Sequence, residues 1–113
     1  MIDVYGLKTC DTCRKALKAL EAKRKSAAFH DLRAEGASKA QLEKWAKAAG
    51  WEKLLNKAST TWRSLPDKDK EKIDAKKALA LMAAHPTLVK RPVIEANGKT
   101  FVGWSAAVLK SLT

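Results

Sequence analysis

The chain has 113 residues, 46% of them apolar, 31% charged and 6% aromatic, the balance of one globular domain and not of a disordered tail or a fibre. A domain of this size buries roughly two-thirds of the surface its unfolded chain exposes, so apolar burial offsets chain entropy without staples and leaves the two cysteines for other work. Twenty-three Lys plus Arg against twelve Asp plus Glu leave +11, a potential that attracts anions, nucleic acid or acidic protein surfaces without naming one.

In chain order, Ile2 to Tyr5 alternate apolar and polar residues and Gly6 breaks the run, which predicts a short strand and a loop through Thr9. From Asp11 to Lys23, Ala16, Leu17, Ala19 and Leu20 recur at helical spacing, with Cys10 at the junction. Ser26 to Asp31 reads as a second strand, completing a β-α-β start. Ser38 followed by Gln41 is a capping-box signature for a helix whose apolar stripe runs through Leu42, Trp45, Ala46 and Ala49 to a stop at Gly50. Trp51 to Asn56 fits a short helix and Ala58 to Leu65 a loop. From Pro66 a lysine-rich stretch turns helical through Ile73, Ala78, Leu79, Leu81 and Met82 until His85-Pro86. Val93 to Ala96 and Lys99 to Val102, joined by Asn97-Gly98, read as a type I′ hairpin. Ser105 then caps a last helix to Leu112. The order is β-α-β, a helical insert over residues 34–86, then β-β-α, in a single domain of residues 1–113.

No stretch approaches the roughly 18 to 20 apolar residues of a membrane helix, and MIDVYGL lacks a basic region, an apolar signal core and a cleavage site. A cytoplasmic monomer with no membrane association is expected. In that compartment thiols stay reduced, so Cys10 and Cys13, spaced C-x-x-C, read as redox-active or metal-binding and not as a structural bridge.

At a helix start the backbone N–H groups of Asp11, Thr12 and Cys13 lack intrahelical partners and favour a thiolate at Cys10, with Lys8 and Arg14 acting in the same direction. Cys13, a turn later, is expected to be more buried and less acidic, as suits a resolving thiol. Zinc is the competing reading, but no second C-x-x-C or H-x-x-x-H is present and His30 and His85 stand apart. No metal is expected. The other competing reading is a pair of unreactive packed cysteines, which suits Cys13 better than Cys10. Arg91-Pro92, directly before the hairpin, is a place where a cis peptide costs little. Thr60-Thr61-Trp62-Arg63 reads equally as a functional cluster or as an ordinary capped loop with Trp62 in the core and Arg63 in solvent.

Together Y-G-L-K-T-C-D-T-C-R-K-A at 5–16, T-T-W-R at 60–63, L-V-K-R-P-V at 88–93 and V-G-W at 102–104 resemble the arsenate reductase-related (ArsC) family of the thioredoxin-like superfamily. The match is closest to its YffB-like branch and extends to the Spx regulators. The resemblance implies an α/β, thioredoxin-like mixed sheet of four strands with a helical insertion, a nucleophilic Cys10 with Cys13 behind it, and a cis-proline at Pro92 facing the thiol. It also implies a substrate- or anion-binding set of Lys8, Thr9, Asp11, Thr12, Arg63, Arg91 and Pro92, the two arginines matching residues that bind an oxyanion in arsenate reductases. A third arginine of those enzymes falls at Gly103.

Guanidinium groups recognise carboxylates bidentately, and glutathione carries two, so a glutathione-dependent thiol–disulfide reductase acting on a disulfide or glutathionylated substrate is expected. One alternative is an arsenate reductase served by glutathione or glutaredoxin. Another is an Spx-like redox-sensing transcription regulator that binds RNA polymerase. Direct nucleic-acid binding ranks below these, because the basic residues are dispersed and Trp45, Trp51, Trp62 and Trp104 sit at helix-stripe or loop-anchor positions.

Overall fold

The structure, a computed structural model, describes residues 2–112. Four strands, β1 (Ile2–Gly6), β2 (Ala27–Asp31), β3 (Val93–Ala96) and β4 (Lys99–Val102), form one sheet in the order β2-β1-β3-β4. β1 and β2 are parallel and the other two pairings antiparallel, the mixed thioredoxin-like sheet that the resemblance implies. The parallel pair is bridged by helix α1 (Asp11–Ala22), the crossover that parallel strands need. The hairpin turns at Asn97 and Gly98, whose φ angles of 51° and 76° are those of the expected type I′ turn.

The strands bury both faces. Val4, Ile94 and Phe101 stand side by side on the face covered by α1 and the last helix, with Leu20, Leu17, Trp104, Val108 and Leu109 packed against them. Tyr5, Val93 and Val102 stand on the other face, against a larger core of Leu42, Trp45, Leu54, Met82 and Leu88 from the helices between β2 and β3. On that second face Asp3 lies opposite Glu95, and like charges so placed repel. Each has its own partner: His30 Nε2 lies within hydrogen-bonding distance of Asp3 Oδ1 at 3.1 Å, and Lys44 Nζ is 2.6 Å from Glu95 Oε2. Burial, followed by the Glu95 carboxylate, pushes the adjoining Tyr5 phenol up to about 12.

Six helices, α2 (Leu32–Glu35), α3 (Lys39–Ala49), α4 (Trp51–Leu54), α5 (Thr60–Ser64), α6 (Asp67–Lys70) and α7 (Ala75–Ala84), join β2 to the 3₁₀ turn Pro86–Leu88. Helix α8 (Ala106–Leu112) closes the fold, with Val108 N–H bonded to Ser105 Oγ at 3.2 Å. The capping box at α3 is complete: Ser38 Oγ accepts from Gln41 N–H and Gln41 Oε1 accepts from Ser38 N–H.

Three local expectations change. Helix α2 is additional to the sequence reading, set off when the Asp31 carboxylate accepts the N–H groups of Arg33 and Ala34. The expected loop over 58–65 contains α5, because Ser59 caps it through Trp62 N–H. The lysine-rich helix is two pieces, α6 and α7, because Lys72 takes a positive φ of 48° and Asp74 starts a new cap by accepting from Lys77 N–H. Ile73 therefore lies outside both pieces. None of the described helices is long and apolar enough to cross a membrane.

Candidate active site

The edge of β1 leads directly to the thiols. After Gly6, Cys10 N–H turns back onto Leu7 C=O at 3.1 Å, and Cys10 in extended conformation becomes the N-cap of α1, its carbonyl accepting from Arg14 N–H at 3.0 Å. Both cysteines are reduced; Cys10 is half-buried, while Cys13 is 1% exposed. Cys13 packs so closely on Gly6 that a Cβ there would stand 2.3 Å from Cys13 Sγ. Gly6 therefore leaves the space that the second sulfur occupies, a requirement invisible in the alternation of β1.

The two thiols are driven in opposite directions. Burial works against a Cys10 thiolate, but the Cys13 N–H, the Cys13 thiol, the Arg91 guanidinium and the Thr12 N–H outweigh it and hold Cys10 below the ordinary thiol range. Burial first, then the neighbouring Cys10, pushes Cys13 up to about 12 despite the Leu7 backbone. The helix-start origin of the Cys10 effect matches the sequence expectation. Its cation is different: Arg91 acts, whereas Arg14 Nε donates to Lys8 C=O at 2.9 Å and its guanidinium lies 3.9 Å from Asp11.

Cys10 opens into a cleft of about 440 Å³ lined by Leu7, Thr9, Arg33, Asn56, Ala58, Ser59, Thr60, Thr61, Thr87 and Arg91. Its far wall is fastened to the sheet side by an isolated bridge between Leu55 and Val89, with Asn56 N–H to Leu88 C=O at 2.8 Å and Lys90 N–H to Leu54 C=O at 2.7 Å. Thr61 and Thr87 share a hydroxyl hydrogen bond of 2.6 Å across the same wall. The loop that carries Arg91 is thereby held against the segment that carries the hydroxyls. Arg91 Nη1 reaches Thr87 C=O at only 3.5 Å, so its guanidinium remains available.

Of the expected binding set, Thr9 and Arg91 line this cleft with Cys10, and the others do not. Lys8, Asp11 and Thr12 are exposed beside it; Thr12 contributes its backbone N–H alone. Pro92 follows the cis Arg91-Pro92 bond as expected, yet its ring is fully buried and outside the cleft. Arg63 is exposed on α5, outside the cleft lining, while Trp62 packs against the core and takes Lys57 and Lys70 over its ring at 5.9 and 5.7 Å. The ordinary reading of 60–63 thus describes Trp62 and Arg63, and the two threonines before them face the site. Sequence reasoning missed Asn56, Thr87 and above all Arg33. Their signal was weak, because a one-turn helix and a 3₁₀ turn have no periodicity to reveal which side faces a neighbour.

The described residues contain no cluster of His, Cys, Asp and Glu of a size to hold a metal ion. No carboxylate lines the cleft, so its polar groups are hydroxyls, one amide and two guanidiniums around a thiol of depressed pKa. The lining beside the thiol therefore carries positive charge with no acid in the cleft to offset it.

Comparison with known proteins places this geometry. An uncharacterized protein of Haemophilus influenzae is 43% identical over 105 residues, covering 93% of this chain and 92% of the relative. The solved structure of the YffB protein is 38% identical, with coverage of 98% and 97% of the two chains and a TM-score of 0.94. An arsenate reductase (ArsC)-related protein from Brucella melitensis is 42% identical, with coverage of 97% and 92% and a TM-score of 0.77. The ArsC family model matches residues 5–112, all but the extreme ends of the sequence, and the chain belongs to the ArsC family.

Proposed function

We propose that this protein is a glutathione-dependent thiol–disulfide reductase with Cys10 as its nucleophile. The observation that carries the reading is a half-buried Cys10 of lowered pKa facing a cleft with unpaired arginine and no carboxylate. The Cys10 thiolate attacks the glutathione sulfur of a glutathionylated substrate. A Cys10–glutathione disulfide forms as the substrate S–S bond breaks, and the released substrate thiolate takes a proton from solvent. A second glutathione, as thiolate, attacks the same glutathione sulfur; the Cys10–S bond breaks, Cys10 leaves as thiolate and oxidised glutathione departs. Overall the substrate sulfur is reduced to a thiol, the incoming glutathione sulfur is oxidised, and the transferred glutathione sulfur stays at the disulfide level. Arg91 holds a carboxylate of the glutathione moiety and keeps Cys10 anionic between cycles.

Cys13 remains a thiol through this cycle. A group whose pKa is pushed up to about 12 and that is almost fully buried has little thiolate at neutral pH with which to resolve a disulfide. Its role is to stabilise the Cys10 anion. Arsenate is the less favoured oxidant because the third arginine position holds Gly103, whose φ of 87° suits glycine and whose N–H is engaged by Pro92 C=O at 2.8 Å.

The test is a coupled assay with a glutathionylated peptide and glutathione on wild type, Cys10→Ser and Cys13→Ser. Cys10→Ser should fall to the buffer rate, whereas Cys13→Ser should retain turnover with a raised Cys10 pKa. Turnover surviving in Cys10→Ser overturns the mechanism, and loss confined to Cys13→Ser moves the nucleophile. Arsenate in place of the peptide should give no rate above buffer.

A further inference from the structure

We propose that Arg33 is a second carboxylate-binding residue of the cleft, so that the site selects thiols bearing two carboxylates over those bearing one or none. The inference rests on the glutathione reading above and extends it to a residue which that mechanism does not use.

Arg33 sits on α2, and that single turn is held from several sides. Leu32 is buried in the core, Asp31 Oδ1 accepts Arg33 N–H at 2.8 Å and Ala34 N–H at 3.3 Å, and Gly36 N–H closes the turn on Leu32 C=O at 2.9 Å. Glu35 reaches back to Asp31 N–H at 3.1 Å and lies 3.8 Å from His30 Nδ1. Both nearby carboxylates are thus occupied by the backbone and by His30, and neither pairs with Arg33. Among the described residues the Arg33 guanidinium has no salt-bridge partner, and it lines the same cleft as Cys10 and Arg91.

An exposed arginine on a convex surface needs no ligand. This one lines a concavity that also holds a second unpaired arginine, a row of hydroxyls and no acid. Two guanidiniums left uncompensated in one small cleft repel each other, and a ligand with one carboxylate neutralises only one of them. A ligand with two satisfies both, and the hydroxyls of Ser59, Thr60 and Thr61 are placed to bond the peptide groups between. A cleft of about 440 Å³ is of the size that small-molecule sites have. Arg91 is also among the largest influences on the thiol itself, and Arg33 is not. The two arginines therefore differ in kind: one sets both charge state and binding, the other binding alone.

The experiment measures the dissociation constant of S-methylglutathione, which keeps both carboxylates but cannot react. Wild type, Arg33→Gln, Arg33→Lys and Arg91→Gln are compared, with the diethyl ester of the same ligand as control and the Cys10 pKa measured in each protein. Arg33→Gln should weaken S-methylglutathione about fivefold or more, Arg33→Lys should recover part of the loss, and the effect should shrink on the diester. The Cys10 pKa should stay at its wild-type value in Arg33→Gln and rise in Arg91→Gln. Equal affinity of wild type and Arg33→Gln, or an equal loss on acid and diester, overturns the role of Arg33 while leaving the glutathione reading in place. A wild-type protein that neither binds S-methylglutathione nor turns over glutathione overturns both.

Discussion

The thiol tip, residues 5–14, and the helical wall, residues 32–88, contribute to the cleft in different ways. At the tip everything that tunes the nucleophile is within a few residues of it: the Thr12 and Cys13 N–H groups and the Cys13 thiol lower the Cys10 pKa, with Arg91 the one distant contributor. On the wall nothing is local. Arg33, Thr61 and Thr87 come from three separate short elements and Asn56 from the loop after α4, and they meet because Leu32, Leu54, Leu55 and Leu88 are buried in one core. The acidity of the thiol is therefore set largely by one turn of backbone, and the lining of the cleft by the packed core.

That contrast can be broken at the tip. Gly6→Ala forces a methyl group to within 2.3 Å of Cys13 Sγ, and overpacking of this kind costs roughly 1 to 3 kcal/mol. The unfolding free energy from denaturant titration should fall by that amount. A Cys13→Ala background should recover most of the stability, since the sulfur that clashes is gone; a loss that persists there would place the strain in β1 itself.

Arg91→Gln probes the link between tip and wall. Losing a hydrogen bond between charged groups costs about 1.5 kcal/mol or more, so kcat/KM for glutathione should drop roughly tenfold. In wild type the rate should rise with pH through the lowered Cys10 pKa and be level above it, since the thiolate is the reactive form of a thiol. Without Arg91 the inflection should move to higher pH. A smaller kcat/KM with an unmoved inflection would separate binding from thiol activation at this residue.

The smallest expected effect lies at the wall. Burial opposes the Glu95 carboxylate, and Lys44, with the Trp45 and Tyr5 side chains, overrides that and holds it below the usual carboxylate range. A depressed acid stabilises the fold above its ordinary pKa, and the contribution disappears as pH falls through the folded value. Lys44→Met should cost up to about 1 kcal/mol at neutral pH, since Lys44 is largely exposed, and should start acid unfolding at higher pH. The Cys10 pKa should not change, which distinguishes wall stability from tip chemistry.

Much of this was legible beforehand. The hairpin at Asn97-Gly98, the capping box at Ser38 and the cysteine at the start of α1 are written in neighbouring residues, because turn geometry and helix caps are settled over three or four positions. The family motifs at 5–16, 60–63, 88–93 and 102–104 added the four-stranded mixed sheet and the cis bond at Pro92, both present in the structure. The motif read two ways was T-T-W-R: the helix that Ser59 initiates brings Thr60 and Thr61 to the cleft and leaves Arg63 exposed outside its lining.

By itself, then, the sequence determined where the acidic thiol stands and why it is acidic, for a helix N-terminus and its unpaired N–H groups are local facts. Only the tertiary structure decided which cations face it. Arg91 was already marked by the family motif; that Arg33 lines the cleft while Arg63, Lys8 and Arg14 do not depends on the facing of one-turn elements and on how the leucine core draws them together. It decided too that Gly6 is required by a sulfur seven residues away, since close packing between two elements leaves no periodic trace in either.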